Sequence, residues 1–268
     1  MNTTQTVTNT EITQVSDLII MPDGEILHNG PLAVQQNWDQ YTQADHDVWA
    51  FLYTKQLENL SDIAYTPWID SMQTIGIHRQ MIPKLGEVGK TMQGLTDWIP
   101  VPISGFLNPG DYFAYLAKRH FPTVVCIRTW DSWEFQVEPD LFHDAFGHLP
   151  MHADVALADF LQLFGQVALS ATTEQQLNEL ARLYWFTIEY GLIRENGKTK
   201  VCGSGHMSGF KEARYSLTDE VEKRPFVFEE VIKQDYNPHA LQKVLFVMDS
   251  YEQVFAALES HIQRYRNS

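Results

Sequence analysis

The stretch Glu138-Pro139-Asp140-Leu141-Phe142-His143-Asp144-Ala145-Phe146-Gly147-His148 decides the reading, because it sets three carboxylates and two imidazoles within eleven consecutive residues. Histidine together with carboxylate suits a borderline divalent cation such as Fe(II) or Zn(II), whereas an all-oxygen set would point to Mg or Ca. His143 and His148 supply part of such a site, and the missing ligand has to come from elsewhere. Ten histidines over 268 positions also give pairs at this spacing by chance, so spacing alone proves little. On a straight α-helix, residues five apart point roughly 140° apart, a poorer fit to one cation than an i, i+4 pair. Gly147 and a helix end are therefore expected to help bring the rings together. Pro139 is placed to open a helix, and Asp140 and Asp144 flank the imidazoles as polar partners.

Upstream, Trp49, Leu52, Tyr53, Leu57 and Leu60 fall at helical spacing behind a Thr42 cap with Asp45 three residues on. Thr66-Pro67 opens a second helix that Gly76 stops, and a third is expected from Pro83 to Met92. The chain then turns through Gly105-Phe106-Leu107-Asn108-Pro109-Gly110, where Asn108-Pro109 opens a helix carrying Tyr112, Phe113 and Leu116. Thr123 to Arg128 is β-branched and predicts a strand, with Trp133 to Val137 as a possible partner. Beyond His148 two long helices are predicted, about Asp154 to Ala171 and Thr173 to Tyr190, the second stopped by Gly191. Asn196-Gly197 is a hairpin signal. A strand over Val244 to Met248 and a helix from Ser250, with Gln253 completing a capping box, end the pattern. The expectation is a mainly α chain with small β elements: a single domain over 37–268 behind a polar, loosely ordered extension over 1–36.

One residue of the second long helix is out of place. Glu189 lies in the last turn, where the helix dipole disfavours an anion by about 0.3–1 kcal/mol, and aromatic and aliphatic residues surround it. Phe186 and Trp185 occupy the positions three and four before it, so no local base compensates the charge. Two readings stay open on these residues alone: a third metal ligand, or a partly exposed acid paired with Arg194 or a more distant base.

The bulk properties narrow the classes. A net charge of −15 and pI near 5.0 would repel nucleic acid and anionic membranes. Cys126 and Cys202 form no CxxC pair and no even framework, which points to a reducing compartment, the cytoplasm. No apolar run approaches a membrane span, and the N-terminus does not read as a signal peptide.

Glu138-Pro139-Asp140…His143-Asp144…Gly147-His148, followed by Leu183-Tyr184-Trp185-Phe186-Thr187…Glu189-Tyr190-Gly191-Leu192, resembles the catalytic core of the pterin-dependent aromatic amino acid hydroxylases, most of all the short bacterial phenylalanine hydroxylases. The likeness stays in order from about Trp38, through Tyr41-Thr42…His46…Trp49…Leu52-Tyr53, to Asp249-Ser250-Tyr251-Glu252-Gln253. It implies the single-domain catalytic fold of that family and a non-haem Fe(II) held by His143, His148 and Glu189. It also implies a tetrahydropterin cofactor, tetrahydrobiopterin or a related one, with dioxygen as co-substrate. The implied activity is phenylalanine 4-monooxygenase, giving tyrosine. Gly105, Leu107, Tyr112, Asp144, Ala181 and Tyr184 match cofactor-side positions, with Tyr112 in the place of an aromatic that stacks on the pterin. Arg128, Asp140, Trp185 and Ser208 match the substrate side. There Arg128 offers a fork to an amino acid carboxylate, Asp140 holds that fork, and Trp185 walls the ring. Tryptophan at 185 goes with relatives acting on phenylalanine or tyrosine; those acting on tryptophan tend to carry phenylalanine. No catalytic side chain beyond the iron ligands is implied. A monomer is expected, with pterin-recycling enzymes as partners.

Departures cluster near the substrate pocket. Relatives commonly read Tyr-Gly-Ala-Gly, two apolar residues, then Ser-Ser, where this chain has Cys202-Gly203-Ser204-Gly205-His206-Met207-Ser208-Gly209. Trp130 and Trp133 replace smaller or aliphatic residues. These changes leave open tryptophan, or another carbon of phenylalanine, as the target. His206 is read as a solvated or hydrogen-bonded loop histidine and not a ligand, and Cys202 as a small buried replacement. From another class, a zinc hydrolase uses the same donor set, although no His-Glu-x-x-His segment supports it. A non-catalytic binder of aromatic ligands is the third reading, and the intact ligand set argues against it.

Overall fold

The computed structural model describes residues 18–20, 26–28, 30–134 and 138–266. Within the expected extension, β1 (Leu18–Ile20) and β2 (Ile26–His28) form an antiparallel pair. Its last residues join the packed body: Ala33 and Val34 are buried, and the Val34 N–H donates to the Pro102 carbonyl at 3.0 Å. The rest of 1–29 lies outside the described residues.

The first helix, α1 (Gln43–Leu60), begins where the predicted capping box sits. Asp45 N–H donates to Thr42 Oγ1 at 3.3 Å, and Thr42 N–H donates back to Asp45 Oδ2 at 2.8 Å. Pro67 lies in the first turn of α2 (Thr66–Thr74), and α3 (Leu85–Thr96) starts two residues after the expected Pro83. Next, β3 (Ile99–Ile103) leads to α4 (Pro109–Leu116), capped by Asn108, and then to β4 (His120–Val124), which pairs in parallel with β3. The strand expected over Thr123–Arg128 thus sits earlier in the chain. Partner length decides this: β3 offers five residues, and pairing ends when it turns away after Ile103. Of its supposed partner, Trp133 and Glu134 form a turn and 135–137 lie outside the described residues.

Two long helices follow, α5 (Val155–Ser170), capped by Asp154, and α6 (Glu174–Tyr184), with a Thr173/Gln176 capping box. A four-stranded sheet completes the body, in the order β6 (Lys198–Val201), β5 (Leu192–Glu195), β8 (Val244–Met248), β7 (Glu222–Pro225). The β5–β6 turn is the predicted one, with Asn196 at φ +50° and Gly197 at φ +76°. Between them the chain forms the short helices α7 (Ser204–Ser208), α8 (Glu212–Tyr215) and α9 (Phe228–Val231), and after the sheet come α10 (Tyr251–Ser260) and the short α11 (Gln263–Arg266). Ser250 caps α10 as expected, but the Gln253 side chain reaches one residue further back and accepts from Asp249 N–H at 2.8 Å.

An aromatic layer lies under the motif segment. Phe142 and Phe146 stack at 4.7 Å, while Trp49, Tyr53 and Trp68 meet their edges. One turn away, α4 presses so closely on α5 that a Cβ on Gly165 would come within 2.5 Å of the Ala117 nitrogen. Gly165→Ala is therefore expected to destabilise by about 1–3 kcal/mol through overpacking, outweighing the ~1 kcal/mol that alanine gains in helix propensity. A urea midpoint that stays or rises would show that the two helices can part.

Candidate metal centre

His143 and His148 do not sit on an α-helix. Residues His143–His148 form a π-helix, in which Leu149 N–H returns to the Asp144 carbonyl five residues back. An i→i+5 turn holds more residues than an α-turn, so position i+5 comes round much closer to position i than in an ordinary helix. The Nε2 atoms stand 3.2 Å apart. Gly147 contributes by close approach, since a Cβ there would lie 2.9 Å from the Ser204 carbonyl oxygen. At the end of α6, Trp185–Glu189 is a second π turn, closed by Tyr190 N–H to the Trp185 carbonyl at 2.8 Å. It carries Glu189 to 3.1 Å from His148 Nε2 and 3.8 Å from His143 Nε2. Arg194 is engaged elsewhere, with Asp249 at 3.2 Å, which removes the ion-pair reading of Glu189.

The donor atoms of the three residues all lie within 4.8 Å of one another. Ser208 Oγ donates to the Ser204 carbonyl at 2.9 Å, and so accepts from His143 Nδ1–H at 2.8 Å. That assignment puts the proton on Nδ1 and leaves Nε2 as a free donor pair. Burial pushes the Glu189 carboxyl up, but His148, His143 and a hydrogen bond from Ser204 outweigh it and hold the group at about 2. Burial also lowers His143 to about 4. Two imidazole nitrogens and a carboxylate thus turn toward one point, as the ligands of a single cation would. The donor set fits Fe(II) or Zn(II).

The expected substrate-side residues flank this centre. Arg128 Nε and Nη2 donate to Asp140 Oδ2 and Oδ1 at 2.9 and 2.7 Å, so Asp140 holds the guanidinium fork in place. Asp140 also accepts from His143 backbone N–H at 3.0 Å and does not touch either ring. Trp185 stacks on Tyr236 at 4.4 Å, and its Nε1 has no protein partner. Tyr236 was not singled out in the sequence, since one aromatic in a polar loop carries no signal. Its hydroxyl is raised by burial first and also by Glu189. Ser208 stands behind His143, its hydroxyl already engaged on both sides.

On the cofactor side, the Tyr112 and Tyr184 hydroxyls meet, their rings at right angles. Asp144 Oδ2 accepts from Val124 N–H at 2.7 Å, tying the end of β4 to the π-helix, and burial pushes the carboxyl up to about 7. Leu107 is buried beside Val124, Gly105 begins the loop after β3, and Ala181 lies one turn before Tyr184. His206 is buried, with Nδ1 donating to the Gly191 carbonyl at 3.3 Å, and is outside the ligand group. Cys202 is buried too, and burial lifts its thiol to about 12, out of reach as a nucleophile.

A two-histidine, one-carboxylate centre in a mainly helical shell defines a mononuclear metalloprotein class. The family described as biopterin-dependent aromatic amino acid hydroxylase matches residues 36–267. A phenylalanine-4-hydroxylase of Caulobacter vibrioides is 35% identical over 237 residues, covering 85% of this chain and 81% of the relative. One of Ralstonia nicotianae is 34% identical, covering 88% and 75%. Among solved structures, the Chromobacterium violaceum phenylalanine hydroxylase with bound iron(III) and oxidised 7,8-dihydrobiopterin aligns with a TM-score of 0.82 at 29% identity, covering 87% of this chain and 85% of that one. The chain belongs to the biopterin-dependent aromatic amino acid hydroxylase family. No helix among the described residues is long and apolar enough to cross a membrane.

His148→Ala and Glu189→Ala should each leave a folded protein that retains only a small fraction of the metal bound by the wild type after Fe(II) loading and desalting. Stoichiometric metal in either variant would refute the ligand assignment. A second expectation concerns acid. Burial lowers His152 to about 3 and His206 to about 4, against 6.5 for an exposed imidazole. As pH falls through 6.5 the unfolded chain takes up protons that these folded imidazoles refuse. Stability is therefore full above that pH and declines toward 4, by up to ~1.4 kcal/mol per pH unit for each group. The urea midpoint of metal-free protein should fall between pH 7 and 5; a flat or rising midpoint contradicts the burial.

Proposed function

We propose that the chain is an Fe(II)- and tetrahydropterin-dependent monooxygenase that converts L-phenylalanine to L-tyrosine with dioxygen. The observation that carries it is the convergence of His143, His148 and Glu189 beside the buried Arg128–Asp140 pair, in a member of this hydroxylase family. The C. violaceum relative carries iron and a biopterin by its own description. Bound here, iron and tetrahydropterin would supply the electrons and the dioxygen activation that ring hydroxylation needs. His143, His148 and Glu189 hold the metal, and Ser208 keeps the His143 ring in the tautomer that leaves Nε2 free. Asp140 takes the Nε proton and one Nη2 proton of Arg128, and the Trp133 carbonyl takes one from Nη1 at 3.3 Å, which leaves one N–H on each Nη for the α-carboxylate of the amino acid. Trp185, backed by Tyr236, forms an aromatic wall for the substrate ring. Gly105, Leu107, Tyr112, Asp144, Ala181 and Tyr184 form the cofactor side. The aromatic layer beneath the ligands keeps bulk water from that face.

The reading extends to a catalytic unit over residues 37–268 with 1–36 as an extension. It further extends to a monomer supplied by pterin-recycling enzymes in a reducing cytoplasm, where Cys126 and Cys202 stay free thiols. Phenylalanine, tyrosine and tryptophan, each offered with a tetrahydropterin and dioxygen to Fe(II)- or Zn(II)-loaded protein, test the central claim by mass spectrometry. Tyrosine formed from phenylalanine with Fe(II) and none with Zn(II) is the expected result. Phenylalanine left intact by the iron form overturns it, and a hydroxylated tryptophan in its place would reassign the substrate.

A further inference from the structure

Ser204 opens α7 and sets a hydroxyl inside the metal centre, against Glu189. Its placement is tightly determined. A Cβ on Gly203 would come within 2.3 Å of the Glu189 carbonyl oxygen, and one on Gly205 within 2.7 Å of the Tyr190 ring, so this turn lies against the ligand-bearing π turn with no room between. On the other side, the Ser204 carbonyl abuts Gly147 and accepts from Ser208 Oγ at 2.9 Å. The fully buried Ser204 side chain is left with one donor proton and two acceptors: Glu189 Oε2 at 2.9 Å and the Ile188 carbonyl at 3.2 Å. The carboxylate is the nearer and the charged one, so it takes the proton.

We infer that Ser204 is a positioning residue for the metal: its hydroxyl holds Glu189 Oε2 and reserves Oε1 as the single oxygen that Glu189 presents to the cation. The geometry divides the carboxylate in this way. Oε2 takes the Ser204 Oγ proton at 2.9 Å and stands 3.8 Å from His143 Nε2, whereas Oε1 comes closer to the imidazoles, 3.1 Å from His148 Nε2. Through Ser204 and Ser208, α7 thereby orients two of the three ligands from a single turn. An alanine at 204 would free Oε2 to rotate toward the cation and would leave the carboxylate with more than one way to bind.

The inference rests on the three-ligand metal reading, and the experiment separates the two. Metal-free wild type, Ser204→Ala and Ser204→Gly are titrated with Co(II) against a competing chelator, and the visible spectrum of each Co(II) form is recorded. Glycine also removes the hydroxyl and brings no ligand atom of its own, so it serves if alanine does not fold. Loss of an outer hydrogen bond to a ligand is expected to weaken Co(II) binding by about 10- to 100-fold, and the visible bands should lose intensity as a second carboxylate oxygen joins the cation. Unchanged affinity and spectrum in a folded variant, with only the urea midpoint lowered, would make Ser204 a packing residue and overturn the inference while leaving the ligand set intact. Failure of the wild type itself to bind Co(II) at one equivalent would overturn both.

Discussion

Holding two imidazole nitrogens and a carboxylate face to face inside an apolar shell is the constraint on which the rest of this molecule depends. Each group alone would be costly to bury, and a shared cation would offset that cost for all three. The fold meets the cost with geometry in place of solvent. Two π turns, one after Phe142 and one after Tyr184, each widen a helix by one residue, which is the increment that brings His143 over His148 and swings Glu189 toward both. Such turns pack less well than an α-helix and persist where the surroundings over-determine them. Here the Phe142–Phe146 stack, edged by Trp49, Tyr53 and Trp68, fixes the underside of the first. The second is clamped between β8 and α7: a Cβ on Gly191 would meet the Thr187 carbonyl at 2.1 Å and the Met248 side chain at 2.9 Å.

The same economy links metal and cofactor sides. Asp144 sits next to His143 in sequence, yet its carboxylate faces the other way and accepts from Val124 at the end of β4. A shift of the π-helix would therefore be felt at the β3–β4 pair and at Leu107, which packs with Val124. On the substrate side, Asp140 does the corresponding work, joining the first turn of the motif to Arg128 through three hydrogen bonds. Three carboxylates thus surround two histidines with separate partners: Glu189 turns toward the imidazoles, Asp140 toward the Arg128 guanidinium, and Asp144 toward a backbone amide. Charge and hydrogen-bond partners, not residue type, separate them.

Much of this was legible in the sequence because local chemistry and tertiary placement agree. Thr42, Asn108 and Ser250 cap the helices they were expected to open, Asp154 and Thr173 cap the two long helices expected to begin at them, and Asn196-Gly197 turns the hairpin. His143 and His148 stood out by type and Glu189 by the absence of a local base, and the fold brings the three together. What was hidden has physical reasons. A π turn leaves no mark in composition, so the 140° mismatch of an ideal helix misdescribed how His143 and His148 meet. Strand β7 reads Glu-Lys-Arg-Pro and looks like a loop; it is a strand because β8 supplies its partner register. Tyr236 and Ser204 are single residues whose meaning depends on what tertiary folding sets beside them.

The departures around α7 illustrate how a family pocket changes without reopening the core. Cys202, expected to differ from the family pattern, is fully buried close to Tyr251, whose ring meets Tyr65 edge to face. His206, expected to differ likewise, has its Nδ1 hydrogen-bonded to Gly191 and its ring edge-on to Tyr190. A polar group inserted into a core is tolerated when a backbone carbonyl is at hand to receive it, and the irregular chain around Gly191 provides one. Ser204 finds its acceptor in a metal ligand instead. Two insertions of the same kind thus have opposite reach: one ends at the backbone and stays structural, while the other ends at Glu189 and bears on how the cation is held.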